Sequence, residues 1–147
     1  MADPTPEPEI RLELLSRPEL LGPLRSMVNA MAQRCGLDDL GACHLVLAMD
    51  EALTNIIRHG YEGNPDGRIW IALAPLEHGL GLRIEIADRA RTVDPSALRG
   101  RDLAEVRPGG LGMHLMRTLV DRFEHEARPG GGMRIVLEKR PAAAAVA

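Results

Sequence analysis

Apolar and polar positions alternate with two different periods along this chain, and the changes of period mark out its elements. Glu9 to Leu15 alternates around Ile10, Leu12 and Leu14, which predicts a strand. Ser16 and Glu19 have capping-box spacing ahead of a helix that presents Leu24, Met27, Val28 and Met31 on one face, is kinked at Gly22-Pro23 and stops at Gly36. Asp38 or Asp39 caps a second long helix, running through Leu40, His44, Leu47, Glu51 and Asn55 to about His59. Gly60 and the run Gly63-Asn64-Pro65-Asp66-Gly67 read as a loop. Ile69, Ile71 and Leu73 alternate with Trp70, Ala72 and Ala74; after a His78-Gly79 turn, Leu82, Ile84 and Ile86 alternate with Arg83 and Glu85 in a strand ending at Asp88. Residues 89–108 are Arg-rich and punctuated by prolines, with a short helix expected around Ser96 to Leu103. Pro108 to Gly112 then opens a helix whose apolar face runs through Met113, Met116 and Val120. Phe123 to Ala127, a Pro129 to Gly132 turn, and Met133 to Lys139 close the chain as a hairpin. Hairpins imply antiparallel pairing, and so few helices can cover only one face. The expected class is α+β: a two-layer α/β sandwich of a mixed, mostly antiparallel sheet with helices on one face. It spans residues 9–140, with tails at 1–8 and 141–147.

Composition narrows this picture. A chain of 147 residues fits one domain and can bury a core without disulfides. Hydrophobic residues make up 45% but aromatic residues only 2%, so the core must be aliphatic. A stacking platform for single-stranded nucleic acid is excluded for the same reason. The net charge of −3 gives no reason to expect nucleic acid as a partner. Residues 1–88 carry 7 Arg against 14 Asp and Glu, whereas residues 89–147 carry 11 basic against 7 acidic residues. That asymmetry fits an anionic ligand or acidic partner near the second half, and equally a scatter of solvated charge. Cys35 and Cys43 match no zinc or redox spacing and are expected as buried free thiols in a reducing compartment. No apolar run approaches the roughly 18 residues of a membrane span, and the acidic, Pro-rich start is unlike a signal peptide, so a cytoplasmic location away from membranes is expected.

Three segments carry candidate chemistry. Glu51 and Asn55 are four apart on a helix and share a face. A carboxylate beside an amide oxygen can act as a general base and as a ligand for a hard cation; the pair also fits a polar stripe on an exposed helix. Asp88, at the end of an apolar strand, sits where a carboxylate can accept a hydrogen bond from the amino group of a base, or simply cap a turn. Arg107-Pro108-Gly109-Gly110-Leu111-Gly112-Met113-His114 places glycines just before a helix, where backbone N–H groups can approach a phosphate, although a plain turn before a helix reads the same way. It has neither the lysine and hydroxyl of a P-loop nor the preceding strand of the dinucleotide fingerprint.

Taken in chain order, these elements resemble the GHKL (Bergerat) ATP-binding fold shared by DNA gyrase, heat-shock chaperones, histidine kinases and MutL-type repair proteins. The segment Asp50-Glu51-Ala52-Leu53-Thr54-Asn55-Ile56-Ile57-Arg58-His59-Gly60-Tyr61 resembles the N box of the anti-sigma factor serine/threonine kinases of bacterial partner-switching systems, and Gly109 to Met116 resembles their second glycine box. The resemblance implies binding of ATP or ADP with Mg²⁺, phosphorylation of a serine on a STAS-domain anti-anti-sigma protein, and sequestration of a sigma factor. It implies Glu51 as general base, Asn55 as the Mg²⁺ ligand, and Asp88 on the adenine amino group. Gly109, Gly110, Leu111, Gly112 and Met113 would form the phosphate-binding box, with Arg107 neutralising phosphate charge. Tyr61 would be the one ring near the nucleotide, and a homodimer is compatible with the family.

Two departures stand out. The family's first glycine box continues past the aspartate with glycines; here Asp88-Arg89-Ala90-Arg91-Thr92 has none, and Arg89 and Arg91 could compensate by reaching phosphates. Where the family often places an adenine-supporting threonine in the last hairpin, this chain has Gly131-Gly132-Met133-Arg134. Beside an active kinase, the sequence therefore admits a non-catalytic binding module of the same fold. A detached histidine-kinase catalytic domain fits less well, because His59 and His114 fall inside the motifs.

Overall fold

The computed structural model describes residues 4–90, 114 and 116–142. Strand β1 (Ile10–Leu15) leads through a 3₁₀ turn (Pro18–Leu20) into α1 (Leu21–Arg34). Helix α2 (Asp39–Asn55) follows and widens into a π-helical turn (Ile56–Gly60). Then come β2 (Arg68–Pro75), β3 (Leu82–Asp88), β4 (Arg122–Ala127) and β5 (Met133–Lys139). The five strands form one sheet in the order β1-β2-β3-β5-β4, and every ladder among the described residues is antiparallel. Residues 114 and 116–119 are helical. The expected α+β sandwich is what the chain adopts. The short helix expected around Ser96 to Leu103 lies outside the described residues.

Register explains where the core sits. Two rows cross the sheet on its covered side, Leu12–Ile71–Ile86–Ile135 and Ile10–Leu73–Ile84–Leu137. The helices lay Leu24, Val28, Leu45, Met49 and Leu53 against this aliphatic face. Each fully buried side chain of this kind contributes about 1.5–3 kcal/mol relative to exposure.

The other side of the sheet is closed by charge rather than by helices. The Arg83 guanidinium bonds the Glu138 carboxylate at 3.0 Å, with both side chains almost fully buried. Arg122 and Arg140 reach the same carboxylate at 3.3 and 3.4 Å. Arg134 pairs with Glu85 at 2.8 Å and Glu126 at 2.9 Å. Val136 is also fully buried on this side.

Local departures from the sequence reading have physical causes. Ser16 does not close a capping box. Its hydroxyl donates instead to the Asn64 carbonyl (2.5 Å), and Arg17 heads the 3₁₀ turn without a side-chain cap. Pro23 falls in the first turn of α1, where its missing N–H is no loss, so the expected kink becomes a change from 3₁₀ to α just upstream. Asp38 caps α2 by accepting from the Gly41 N–H at 2.7 Å. Cys35 is buried as expected, and burial pushes its thiol pKa up. Cys43 is exposed, because it lies with Leu40 and Leu47 on the side of α2 turned away from the sheet. The 22-residue stretch Asp39–Gly60 is apolar and long enough to cross a membrane by composition alone; its buried half packs on the sheet as a core helix.

Candidate functional site

The site grows from the C-terminal end of α2. Ala52, Leu53, Ile56 and Ile57 are buried and fix the rotation of the helix, which leaves Glu51 and Asn55 half-buried on its other side. Among the described residues, neither side chain has a hydrogen-bond partner. Asp50, next to Glu51, pairs with Arg25 of α1 at 3.0 Å, off the line of a hydrogen bond. Immediately after Asn55 the backbone widens, and Tyr61 N–H bonds the Ile56 carbonyl at 2.8 Å across the π turn. Such widened turns recur at functional sites because they re-aim a helix end.

The second part is the end of β3. Asp88 is 1% exposed, and its Oδ1 accepts the N–H groups of Ala90 (2.8 Å) and Met133 (3.3 Å). Its carbonyl oxygen accepts from Arg128 Nη1 at 2.7 Å, and the Arg128 guanidinium lies 5.7 Å from the centre of the Trp70 ring. The Arg89 guanidinium donates to the Pro129 and Gly131 carbonyls at 3.4 and 3.3 Å. Arg89, read from the sequence as a solvated loop arginine or a phosphate contact, instead clamps the β4–β5 turn onto the Asp88 segment.

Two glycines outside the expected glycine box make this approach possible. Gly132 has φ +90°, and a Cβ there would fall on the Asp88 carbonyl oxygen. Gly132 thus serves close approach of two backbones, in the hairpin where the family often places a threonine. On the other flank a Cβ on Gly60 would meet the Ala90 Cβ at 2.8 Å. The space that a glycine after Asp88 would leave is left here by its neighbour across the gap. Together, Gly60 against Ala90 and the Tyr61 hydroxyl on the Arg89 N–H (2.9 Å) bring the end of α2 onto the end of β3. The sequence placed Glu51, Asn55 and Asp88 correctly on these two elements. The clamp of Arg89 and Arg128 it missed, because an arginine in a turn carries no signal of which carbonyl it will find. Arg107, Gly109, Gly110, Leu111, Gly112 and Met113 lie outside the described residues.

Residues 14–139 match the model of the histidine kinase-like ATPase domain, and the chain belongs to that family. Within it, the chain stands with the serine-protein kinases RsbW. It is 30% identical over 120 residues to the serine-protein kinase RsbW of Listeria monocytogenes, covering 77% of this chain and 76% of that one. It is 29% identical over 130 residues to that of Bacillus pumilus, covering 82% and 80%. Among solved structures, the RsbU and RsbW domains of Rv1364c from Mycobacterium tuberculosis superpose with a TM-score of 0.60 at 19% identity, covering 93% of this chain and 34% of that one. The histidine kinase domain of the Erythrobacter litoralis EL346 blue-light activated histidine kinase superposes with a TM-score of 0.55 at 19% identity, covering 97% and 67%. These two likenesses bear on the fold.

Proposed function

We propose that the protein is a cytoplasmic anti-sigma factor and ATP-dependent serine-protein kinase, acting on a STAS-domain anti-anti-sigma protein and sequestering a sigma factor when that antagonist is phosphorylated. The observation that carries it is the pair of polar side chains, Glu51 and Asn55, without hydrogen-bond partners among the described residues, on one half-buried face of α2, in a chain whose residues 14–139 match the ATPase family. Glu51 takes the proton from the substrate serine as its oxygen attacks the γ-phosphorus; the bond from that phosphorus to the β–γ bridging oxygen breaks and ADP leaves. Asp88 accepts a hydrogen bond from the adenine amino group. Arg107 and the backbone N–H groups of Gly109 to Met113 take the phosphates.

Asn55 suits Mg²⁺. It offers a hard amide oxygen with no partner among the described residues, one helical turn from a carboxylate. When bound, the ion neutralises charge on the triphosphate. The RsbW relatives support the kinase reading through their names as serine-protein kinases.

The test is phosphosite mapping after incubation of the full chain with Mg·ATP and its co-purifying STAS domain. A phosphoserine on the partner is expected. Glu51→Gln should lower transfer on the order of 10²–10⁴-fold while nucleotide binding persists; full-rate transfer by that variant removes Glu51 as base. A second reading, a non-catalytic binding module, is favoured by Ala90, whose buried methyl faces Gly60 where the family has a glycine-lined nucleotide wall. Calorimetry with ATP and ADP separates the two, since the module predicts no binding at millimolar nucleotide.

A further inference from the structure

Tyr61 stands where three segments meet. Its hydroxyl donates to the Arg68 carbonyl at 2.5 Å, at the start of β2, and accepts the Arg89 N–H at 2.9 Å, one residue past Asp88. Both hydrogen-bonding functions of the phenol are used with the correct polarity. Burial pushes its pKa above the ordinary 10.0, against the pull of these two bonds, so the hydroxyl keeps the proton it donates. The Asp88 carboxylate is oriented by the N–H of Ala90, the next residue along from the Arg89 amide that Tyr61 holds. The Arg89 side chain is occupied elsewhere, on the β4–β5 turn. What Tyr61 fixes is therefore the backbone on which the Asp88 carboxylate depends.

We propose that Tyr61 is a positioning residue for purine selectivity: its hydroxyl holds the Arg89–Ala90 backbone so that the Asp88 carboxylate accepts a 6-amino purine and disfavours a 6-oxo purine. This rests on the nucleotide-binding reading given above. A site built to hydrogen-bond one substituent discriminates against the analogue lacking it only while its own groups are held in place.

The experiment is calorimetric titration of the full chain with Mg·ATP and with Mg·inosine triphosphate. The unsubstituted protein is expected to prefer ATP by about 10-fold or more. Tyr61→Phe should narrow that preference by roughly 3- to 10-fold, the worth of one hydrogen bond. Arg68→Ala, which leaves the backbone carbonyl acceptor intact, should keep it. An unchanged ATP-to-inosine ratio in Tyr61→Phe overturns the proposal, because a merely structural tyrosine would weaken both nucleotides alike. Should Tyr61→Phe not fold, amide exchange on the unsubstituted protein decides: ATP should slow exchange of the Arg89 amide more than inosine triphosphate does, and equal slowing overturns the proposal. Equal affinity for the two nucleotides overturns it while leaving ATP binding standing. Binding of neither removes the nucleotide reading and this inference with it.

Discussion

Gly132 shows how much of the site is decided by single atoms. Its φ of +90° and the Asp88 carbonyl beneath it leave no place for a methyl group. Gly132→Ala should cost about 1–3 kcal/mol, through backbone strain and the displaced hairpin. Urea unfolding of the variant checks this, and a loss below ~0.5 kcal/mol would show that the turn has room. At this scale the sequence was partly legible. Asp88 could be placed because an acidic residue ending an apolar strand has few uses other than a turn or a ligand. The role of Gly132 could not, since a glycine in a hairpin turn reads as turn chemistry and the close approach depends on a strand about 45 residues away in the chain. Arg89 was misjudged for the same reason: its carbonyl partners are 40 and 42 residues distant.

Among the elements, α2 carries both the core and the candidate chemistry. Its N-cap was readable as Asp38 or Asp39, and the backbone selects Asp38, which bonds the Gly41 N–H. Asp38→Ala should destabilise the protein by about 1 kcal/mol. Met49, completely buried, should cost about 2–5 kcal/mol on truncation to alanine, whereas Leu47, 50% exposed, should cost within roughly 0.5 kcal/mol. Paired denaturant melts of Met49→Ala and Leu47→Ala give the comparison, and equal losses would mean the exposed face has a partner in solution. The contrast also explains the error over Cys43. With apolar residues on most of its circumference, α2 has no strong amphipathic signal, so the sequence could not tell its outer side from its inner one. The π-helical turn was likewise invisible; nothing in Ile56 to Gly60 by itself asks for i→i+5 bonding.

For the whole molecule, the covered face of the sheet was legible because strict alternation in β2 and β3 assigns every second residue to the core. The outer face was not. Arg83, Glu85, Arg134 and Glu138 read as ordinary solvent-facing positions, yet register brings them into one partly buried network. Burial alone would raise the Glu85 pKa, but the hydrogen bonds and charges of Arg134 and Arg83 outweigh it and hold the carboxyl below its ordinary 4.5. A carboxylate whose pKa is depressed in the folded state contributes stability that is present above the unfolded pKa and is lost as pH falls through the folded one. Stability should therefore decline on acidification from about pH 4.5 downward, and Glu85→Gln should flatten part of that decline. Thermal unfolding followed across the acid range measures both; an identical slope in the variant would place the lost protons elsewhere.

The placement of Trp70 has a practical consequence. It is the single tryptophan of the chain, and the guanidinium over its ring also grips the carbonyl of Asp88. The indole and the backbone carbonyl of Asp88 thus share one cation, which gives the protein an intrinsic optical gauge at the end of β3. Any event that pulls Arg128 from Asp88 will register as a change in emission from one identifiable ring, without a label.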